Sequence, residues 1–193
     1  QQATLRGEIF SRGRAFVTEI TLQAGRRRKM TVNGVTAKNS AELSDVMHTV
    51  FFCPEDLFLI REGAAARRRF MDVSLCQLRP RYAEALAEYH RLYEHKTRIL
   101  RDSEENPGLL RMLPDFNERM CQVGAVLIHC RARYCRSLQS FAGTAHADCS
   151  GGREELSLRY ETVKTVTDPF GSMEHITQEL RDHQESHYPA EIS

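Results

Sequence analysis

Two heptad-spaced runs in the middle of the sequence most constrain what this chain can fold into. They cover residues 82–100 and 116–141, with side chains of mainly apolar character at steps of three and four. Such steps keep the spaced side chains on one face of a helix, as in the seam of a coiled coil. Because a short polar connection at residues 102–107 follows the first run, the pattern predicts an antiparallel helical hairpin that forms an elongated arm. The alternative, two ordinary helices of a globular bundle, stays open.

The residues before this hairpin have the composition of short strands. Residues 2–32 contain β-branched and aromatic runs separated by glycine turns, and Asn33-Gly34 is a strong signal for a tight hairpin. These features predict an antiparallel meander of three or four strands. The apolar run at 49–53 predicts a buried strand, and Pro54 followed by two acids predicts a helix that ends near Arg61.

The rest of the chain is predicted to be mostly helical. Residues 64–141 form the helical part, and residues 143–152, rich in Gly, Ser and Ala, predict a loop. Alternation over 155–160 predicts a strand, and 172–187 predict an acidic helix with Ser172 as its cap. The fold class is therefore α+β, a small antiparallel meander followed by an antiparallel helical hairpin.

The near-neutral net charge of +1 conceals a segregated pattern. Basic residues exceed acidic ones in 1–39 and 64–141, whereas acidic residues exceed basic ones in 40–63 and 142–193. Most of the basic residues are arginines, whose planar forks suit phosphate and carboxylate groups. Two interpretations stay open: a nucleic-acid surface, or solvated faces on a chain whose genome favours arginine codons.

Motifs for catalysis, metal binding and membrane insertion are scarce. The sequence has no G-x-x-x-x-G-K-[ST] loop, no G-x-S-x-G and no C-x-x-C pair. Its six cysteines are expected to be reduced thiols, and the pair His183 and His187 is expected to lie on a solvated helix rather than to bind a metal. No run approaches the ~18 apolar residues that a membrane-spanning helix needs. We therefore assign no catalytic residue and no metal ligand, and we expect no membrane partner.

One ordered string of residues is far more specific than any of these motifs. It reads Phe-Cys-Pro-Glu-Asp-Leu at 52–57, Arg-Arg-Arg-Phe-Met-Asp at 67–72, Leu-Cys-Gln at 75–77 and Pro-x-Tyr at 80–82. This string resembles the bacterial RecF family of DNA replication and repair proteins, which are ABC-type ATPases related to the heads of SMC and Rad50 proteins. The resemblance implies a partial P-loop NTPase fold. Residues 1–63 would belong to ATPase lobe I, 64–142 to the helical arm, and 143–193 to a segment returning toward the ATPase.

The resemblance also implies a function and a set of partners. RecF-type proteins bind ATP with Mg²⁺, dimerise on ATP, bind DNA at junctions of single and double strands, and help RecA loading with RecO and RecR in the SOS response. The expected location is the cytoplasm, in association with the nucleoid. The Walker A loop is expected before Gln1, and the signature motif and Walker B after Ser193. We therefore expect no cofactor and no ATPase activity from this chain alone, although the family consists of slow DNA-dependent ATPases.

Seven residues are candidates for a role in the intact protein. Glu55 and Asp56 match the position of a lobe-linking loop near the nucleotide in related ATPases. The other five are arginines expected to contact DNA or the second subunit of a dimer: Arg67, Arg68, Arg69, Arg79 and Arg81. A competing interpretation pairs the triplet at 67–69 with the acids at 55, 56 and 62.

Two other functions are weighed against this one. The first is a non-enzymatic module whose helical hairpin holds a protein partner. The second is an ABC-type ATPase with nuclease activity, of the overcoming-lysogenisation kind, which would need a carboxylate metal site that the sequence does not display.

Overall fold

The computed structural model describes residues 1–37 and 41–192, which fall into two compact units. The first unit is Gln1–Pro80 and the second is Arg81–Ser193. The sequence also predicts a short helix over Ala41–Met47 with Ser40 as its cap. Ser40 lies outside the described residues, and the structure shows a shorter helix, α1 (Ala41–Ser44).

A four-stranded antiparallel sheet opens the first unit, as the sequence predicted. Its strands, β1 (Gln2–Ser11), β2 (Arg14–Gln23), β3 (Lys29–Val32) and β4 (Val35–Thr36), pair in chain order. Asn33 and Gly34 take positive φ angles of 49° and 80° in the two-residue turn between β3 and β4. The side chain of Asn33 also accepts a hydrogen bond of 2.7 Å from the backbone N–H of Val17, which ties the turn to β2.

One face of this sheet is apolar and only partly covered. The register places Leu5 opposite Ile20, and Ile20 opposite Met30. Across these three strands the exposed fraction rises from 7% at Met30 to 61% at Leu5. The sheet therefore buries its apolar face beside β3 and leaves it open toward β1.

The predicted buried strand at 49–53 is wrong. These residues have no regular structure, and Val50, Phe51 and Phe52 are exposed. An apolar run forms a buried strand only where a neighbouring strand supplies hydrogen bonds, and none of the described residues pairs with it. The side-chain amide of Gln77 instead accepts from the Thr49 N–H at 2.8 Å and donates to the Thr49 carbonyl at 3.1 Å.

The helix predicted from Pro54 to Arg61 is shorter than expected. It is a single stretch of 3-10 helix, Pro54–Phe58, and is followed by turns up to the start of α2 (Ala64–Leu78). Its lack of buried residues explains the short length, because packing of an apolar face supplies most of the stability of a helix in a protein.

The described residues of the second unit form three α-helices, α3 (Pro80–Asp102), α4 (Leu113–Ser150) and α5 (Met173–Glu191), and a 3-10 helix, Pro107–Met112, between α3 and α4. Contacts between α3 and α4 run in opposite directions along the two helices, which confirms the predicted antiparallel hairpin. From the start of α3 onward, they join Tyr82 to Arg131, Glu88 to Arg119, and His95 to Phe116.

The third helix, α5, completes the core of this unit. Ile176 is fully buried and clusters with Ala125 and Ile128 of α4 and with Val166 of the preceding loop. Ser172 caps the helix as predicted, because its hydroxyl accepts a hydrogen bond from the His175 N–H at 3.1 Å. The acidic helix is therefore a packed part of the helical unit.

The segment between α4 and α5 differs from its prediction in two ways. The loop expected at 143–152 is wrong for most of its length, because α4 continues to Ser150 and ends at Gly151, whose φ is 64°. The strand expected at 155–160 does not form. The amide of Gln139 on α4 holds this stretch instead, since it donates to the Leu156 carbonyl at 2.7 Å and accepts from the Leu158 N–H.

Candidate nucleic-acid interface

The arginine triplet lies in the first turns of α2, where its three members divide between two roles. Arg67 donates from its Nη1 to the carbonyl of Glu62 at 2.7 Å and to the carbonyl of Ile60 at 3.4 Å. It thus fastens the turn that precedes α2 to the helix itself. The side chains of Arg68 and Arg69 are exposed and make no ion pair among the described residues.

The competing interpretation of the triplet does not agree with this geometry. It expected salt bridges to the carboxylates of Glu55, Asp56 and Glu62, but Arg67 binds the backbone carbonyl of Glu62 rather than its carboxylate. Arg68 and Arg69 therefore direct two unneutralised guanidinium groups toward solvent, and such groups suit phosphate oxygens.

The structure does not bring Arg79 next to the triplet. Arg79 follows the last residue of α2, and its N–H closes the helix on the Leu75 carbonyl at 2.9 Å. At about 1.5 Å per residue, it lies about 18 Å along the axis from Arg67. Arg81 is exposed in the first turn of α3 and falls in the second unit. The candidates therefore do not form one compact cluster in the first unit.

Glu55 and Asp56 are both exposed, but Asp56 already has a structural role. Its carboxylate accepts from the Cys53 N–H at 2.8 Å and from the Cys53 thiol at 3.3 Å, which caps the 3-10 helix. The pKa of the Cys53 thiol is raised above its ordinary value. The main cause is the interaction with the side chain of Glu55, and burial and the side chain of Asp56 contribute less. The thiol is therefore kept in its protonated form, which is a poor nucleophile.

The structure exposes a second group of cations, which no sequence motif indicates. Arg26, Arg27 and Arg28 lie in the connection between β2 and β3, Lys29 begins β3, and all four side chains are exposed. The sequence indicates these cations only through the excess of positive charge over residues 1–39, a range that includes residues 26–29. We refer to these four residues as the basic turn.

His183 and His187 lie one turn apart on α5, with their ring centroids 4.1 Å apart. Among residues 1–37 and 41–192, no group of three potential ligands could hold a metal ion. The same described residues contain no helix that is long and apolar enough to span a membrane.

No family model matches this sequence. Its curated relatives include the DNA replication and repair protein RecF of Agathobacter rectalis, which is 30% identical over 94% of this chain and 49% of that protein. The protein of the same name from Lachnoclostridium phytofermentans is 32% identical over 74% of this chain and 40% of its own length. A third RecF protein, from Acidothermus cellulolyticus, is 30% identical over 84% of this chain and 44% of its own length. The chain therefore spans about half the length of the curated relatives it matches, or less.

Solved structures share this fold. A structure of the recombination mediator protein RecF-ATPrS in the RecFOR pathway matches the whole chain with a TM-score of 0.87 at 21% identity, over 51% of its own length. A structure of RecF-ATP from the same pathway matches the whole chain with a TM-score of 0.83 at 20% identity, over 52% of the length of that protein.

The small antiparallel sheet and the helical arm together match a part of the ATPase fold seen in these structures. The sequence relatives then identify the family. The chain belongs to the RecF family of DNA replication and repair proteins, as the residue string at 52–82 predicted.

Proposed function

We propose that this chain is part of a RecF-type recombination mediator, which binds DNA at single-strand gaps in an ATP-dependent manner and helps RecA loading with RecO and RecR in the SOS response. The names of the relatives support the role in DNA replication and repair. The matching structures, of RecF-ATPrS and RecF-ATP in the RecFOR pathway, support a recombination mediator that binds ATP and acts in that pathway. Within this proposal the intact protein dimerises on ATP and works in the cytoplasm at the nucleoid.

The nucleotide site is proposed to lie largely outside this sequence, which contains no G-x-x-x-x-G-K-[ST] loop. ATP and Mg²⁺ would be held by the Walker motifs of the intact protein, and this chain alone would not hydrolyse ATP. Glu55 and Asp56 are proposed to lie near that nucleotide. The cap that Asp56 forms with Cys53 supports a role for Asp56 in holding the loop in shape and leaves Glu55 as the carboxylate to test there.

The exposed guanidinium groups of Arg68 and Arg69 are the observation that carries the proposed role in DNA binding. They belong to the string shared with the family, they are exposed, and no acid among the described residues neutralises them. In this proposal they contact the phosphate backbone, whereas Arg67 positions the turn before them. Arg79 and Arg81 remain further proposed contacts with DNA or with the second subunit.

The salt dependence of DNA binding tests this assignment. The double variant Arg68→Ala with Arg69→Ala, made in the full-length protein, removes two phosphate contacts. Since each contact contributes about 0.9 to the slope of log affinity against log salt, we expect the slope to become shallower by about 1.8. Fluorescence anisotropy with a gapped duplex in the presence of ATP measures this slope.

The control variant replaces two exposed arginines of the helical unit, Arg98→Ala with Arg111→Ala, and carries the same change in net charge. We expect it to retain the wild-type slope. A slope that does not change in the Arg68 and Arg69 variant would contradict the proposed contacts.

A further inference from the structure

The basic turn has a fixed backbone and unneutralised side chains. Gly25 takes a positive φ of 71°, and the N–H of Arg26 closes the turn on the Gln23 carbonyl at 3.1 Å. At the other end Lys29 pairs with Thr21 in the sheet. The backbone of the run is therefore held at both ends, while Arg27 and Arg28 lie outside the ladder between β2 and β3.

The charges of the basic turn have no internal partner in the described part of the chain. Other arginines of this protein do have one, as shown by Arg119 with Glu88 and Arg181 with Glu118. None of the four side chains of the basic turn forms an ion pair with a described residue. The neighbouring end of β1 carries no acidic side chain, since Gln2 lies opposite Gln23 and the Ala24 N–H binds the Gln1 carbonyl.

Four adjacent cations of this kind favour an anionic partner. Like charges at neighbouring positions repel one another, and an external polyanion relieves that repulsion. The run spans at most about 10 Å, since a fully extended chain covers about 3.3 Å per residue, and each strand of a DNA duplex carries one phosphate per about 3.4 Å of helix axis. Arginine forks bind phosphate oxygens in pairs, so two or three phosphates match the run in both charge and geometry.

We propose that the basic turn is a second contact with the DNA backbone, separate from Arg68 and Arg69. This inference rests on the proposed DNA-binding function. None of the four residues of the basic turn is aromatic or carries an amide side chain, so the contact depends on charge and carries no base specificity.

The test uses the full-length protein and a fluorescein-labelled gapped duplex. In the triple variant Arg26→Ala, Arg27→Ala and Arg28→Ala, we expect affinity at moderate salt to fall about tenfold and the salt slope to become shallower by about 2. The matching triple Arg→Lys variant keeps the charge, and we expect it to retain most of the slope. Because the side chains are exposed, we expect both variants to unfold at the wild-type temperature.

A control variant, Arg98→Ala with Arg111→Ala and Arg133→Ala, removes three exposed arginines of the helical unit. An equal loss in this control would overturn the proposal, because only net charge would then matter. An unchanged slope in the basic-turn variant, with wild-type protein still binding DNA, would also overturn it. An acidic protein surface would then be the better partner for the basic turn. Failure of the wild-type protein to bind DNA would instead contradict the proposed function itself.

Discussion

Two adjacent residues of α4 form ion pairs with the helices on either side. Glu118 accepts two hydrogen bonds from Arg181 of α5, at 2.6 and 2.7 Å, and Arg119 donates two to Glu88 of α3, at 2.7 and 3.0 Å. Paired geometry of this kind is the strongest form of an ion pair at a protein surface. The hydrogen bonds from Arg181, and then that from Gln122, lower the pKa of Glu118 from 4.5 to about 2.

We expect the variant Glu118→Gln to lower the unfolding temperature of the helical unit slightly. The pair is about 40% exposed, so solvent screens it, and the expected fall at pH 7 is about 2 °C. A carboxylate whose pKa is lower in the folded state stabilises the fold above its unfolded pKa. That contribution is lost as the pH falls through the folded pKa. The difference between wild type and variant should therefore shrink as the pH falls from about 4.5 to about 2.

Circular dichroism during heating at several pH values measures this difference. The control Glu104→Gln changes an exposed carboxylate in the turn after α3, and we expect no change in unfolding temperature from it. A difference for Glu118→Gln that stays constant down to pH 2 would contradict the assigned ion pair.

At the scale of elements, the sequence predicted structure correctly where the interacting residues are close together in the chain or recur with a regular period. The turn at Asn33 and Gly34, the meander, the α3–α4 hairpin and the cap at Ser172 all depend on neighbouring residues or on a regular period. The predictions at 49–53 and 155–160 failed because a strand depends on a distant pairing partner. In both places the side-chain amide of a distant glutamine, Gln77 or Gln139, binds the backbone instead.

The sequence predicted the candidate site only in part. The string at 52–82 identified the arginines, but only the structure shows that Arg67 has a structural role and that Arg79 lies at the other end of α2. A hydrogen bond from a side chain to a backbone carbonyl leaves no periodic trace in a sequence. The basic turn was hidden for another reason, because a count of charges does not show which of them have partners.

The position of α5 in the core gives a prediction at this scale. Residues 172–187 are mostly polar, and Ile176 on the inner face of the helix is fully buried against α4. We expect Ile176→Ala to cost about 3 kcal/mol of unfolding free energy, since it leaves a cavity among Ala125, Ile128 and Val166. Urea unfolding followed by circular dichroism measures this loss.

The matched control is Ile192→Ala, at a side chain that is 41% exposed. We expect its cost to stay below about 1 kcal/mol. Equal costs for the two variants would contradict the packing of α5 on α4.

At the scale of the whole molecule, the first unit combines exposed cations with an apolar sheet face that is open toward β1. The second unit has a core of its own, built from α4, α5 and the segment between them. In the proposed function, the first unit supplies the DNA contacts other than Arg81, and nucleotide binding requires the rest of the intact protein. Activity is therefore expected from the intact protein and not from this chain alone.

The most direct measurement of the central claim is the affinity of the full-length protein for a gapped duplex, with ATP and Mg²⁺, with ADP and Mg²⁺, and without nucleotide. We predict that ATP tightens binding at least about fivefold relative to the other two conditions, within the usual range of coupling between two sites. An affinity that is the same in all three conditions, or no binding to DNA in any of them, would contradict the account.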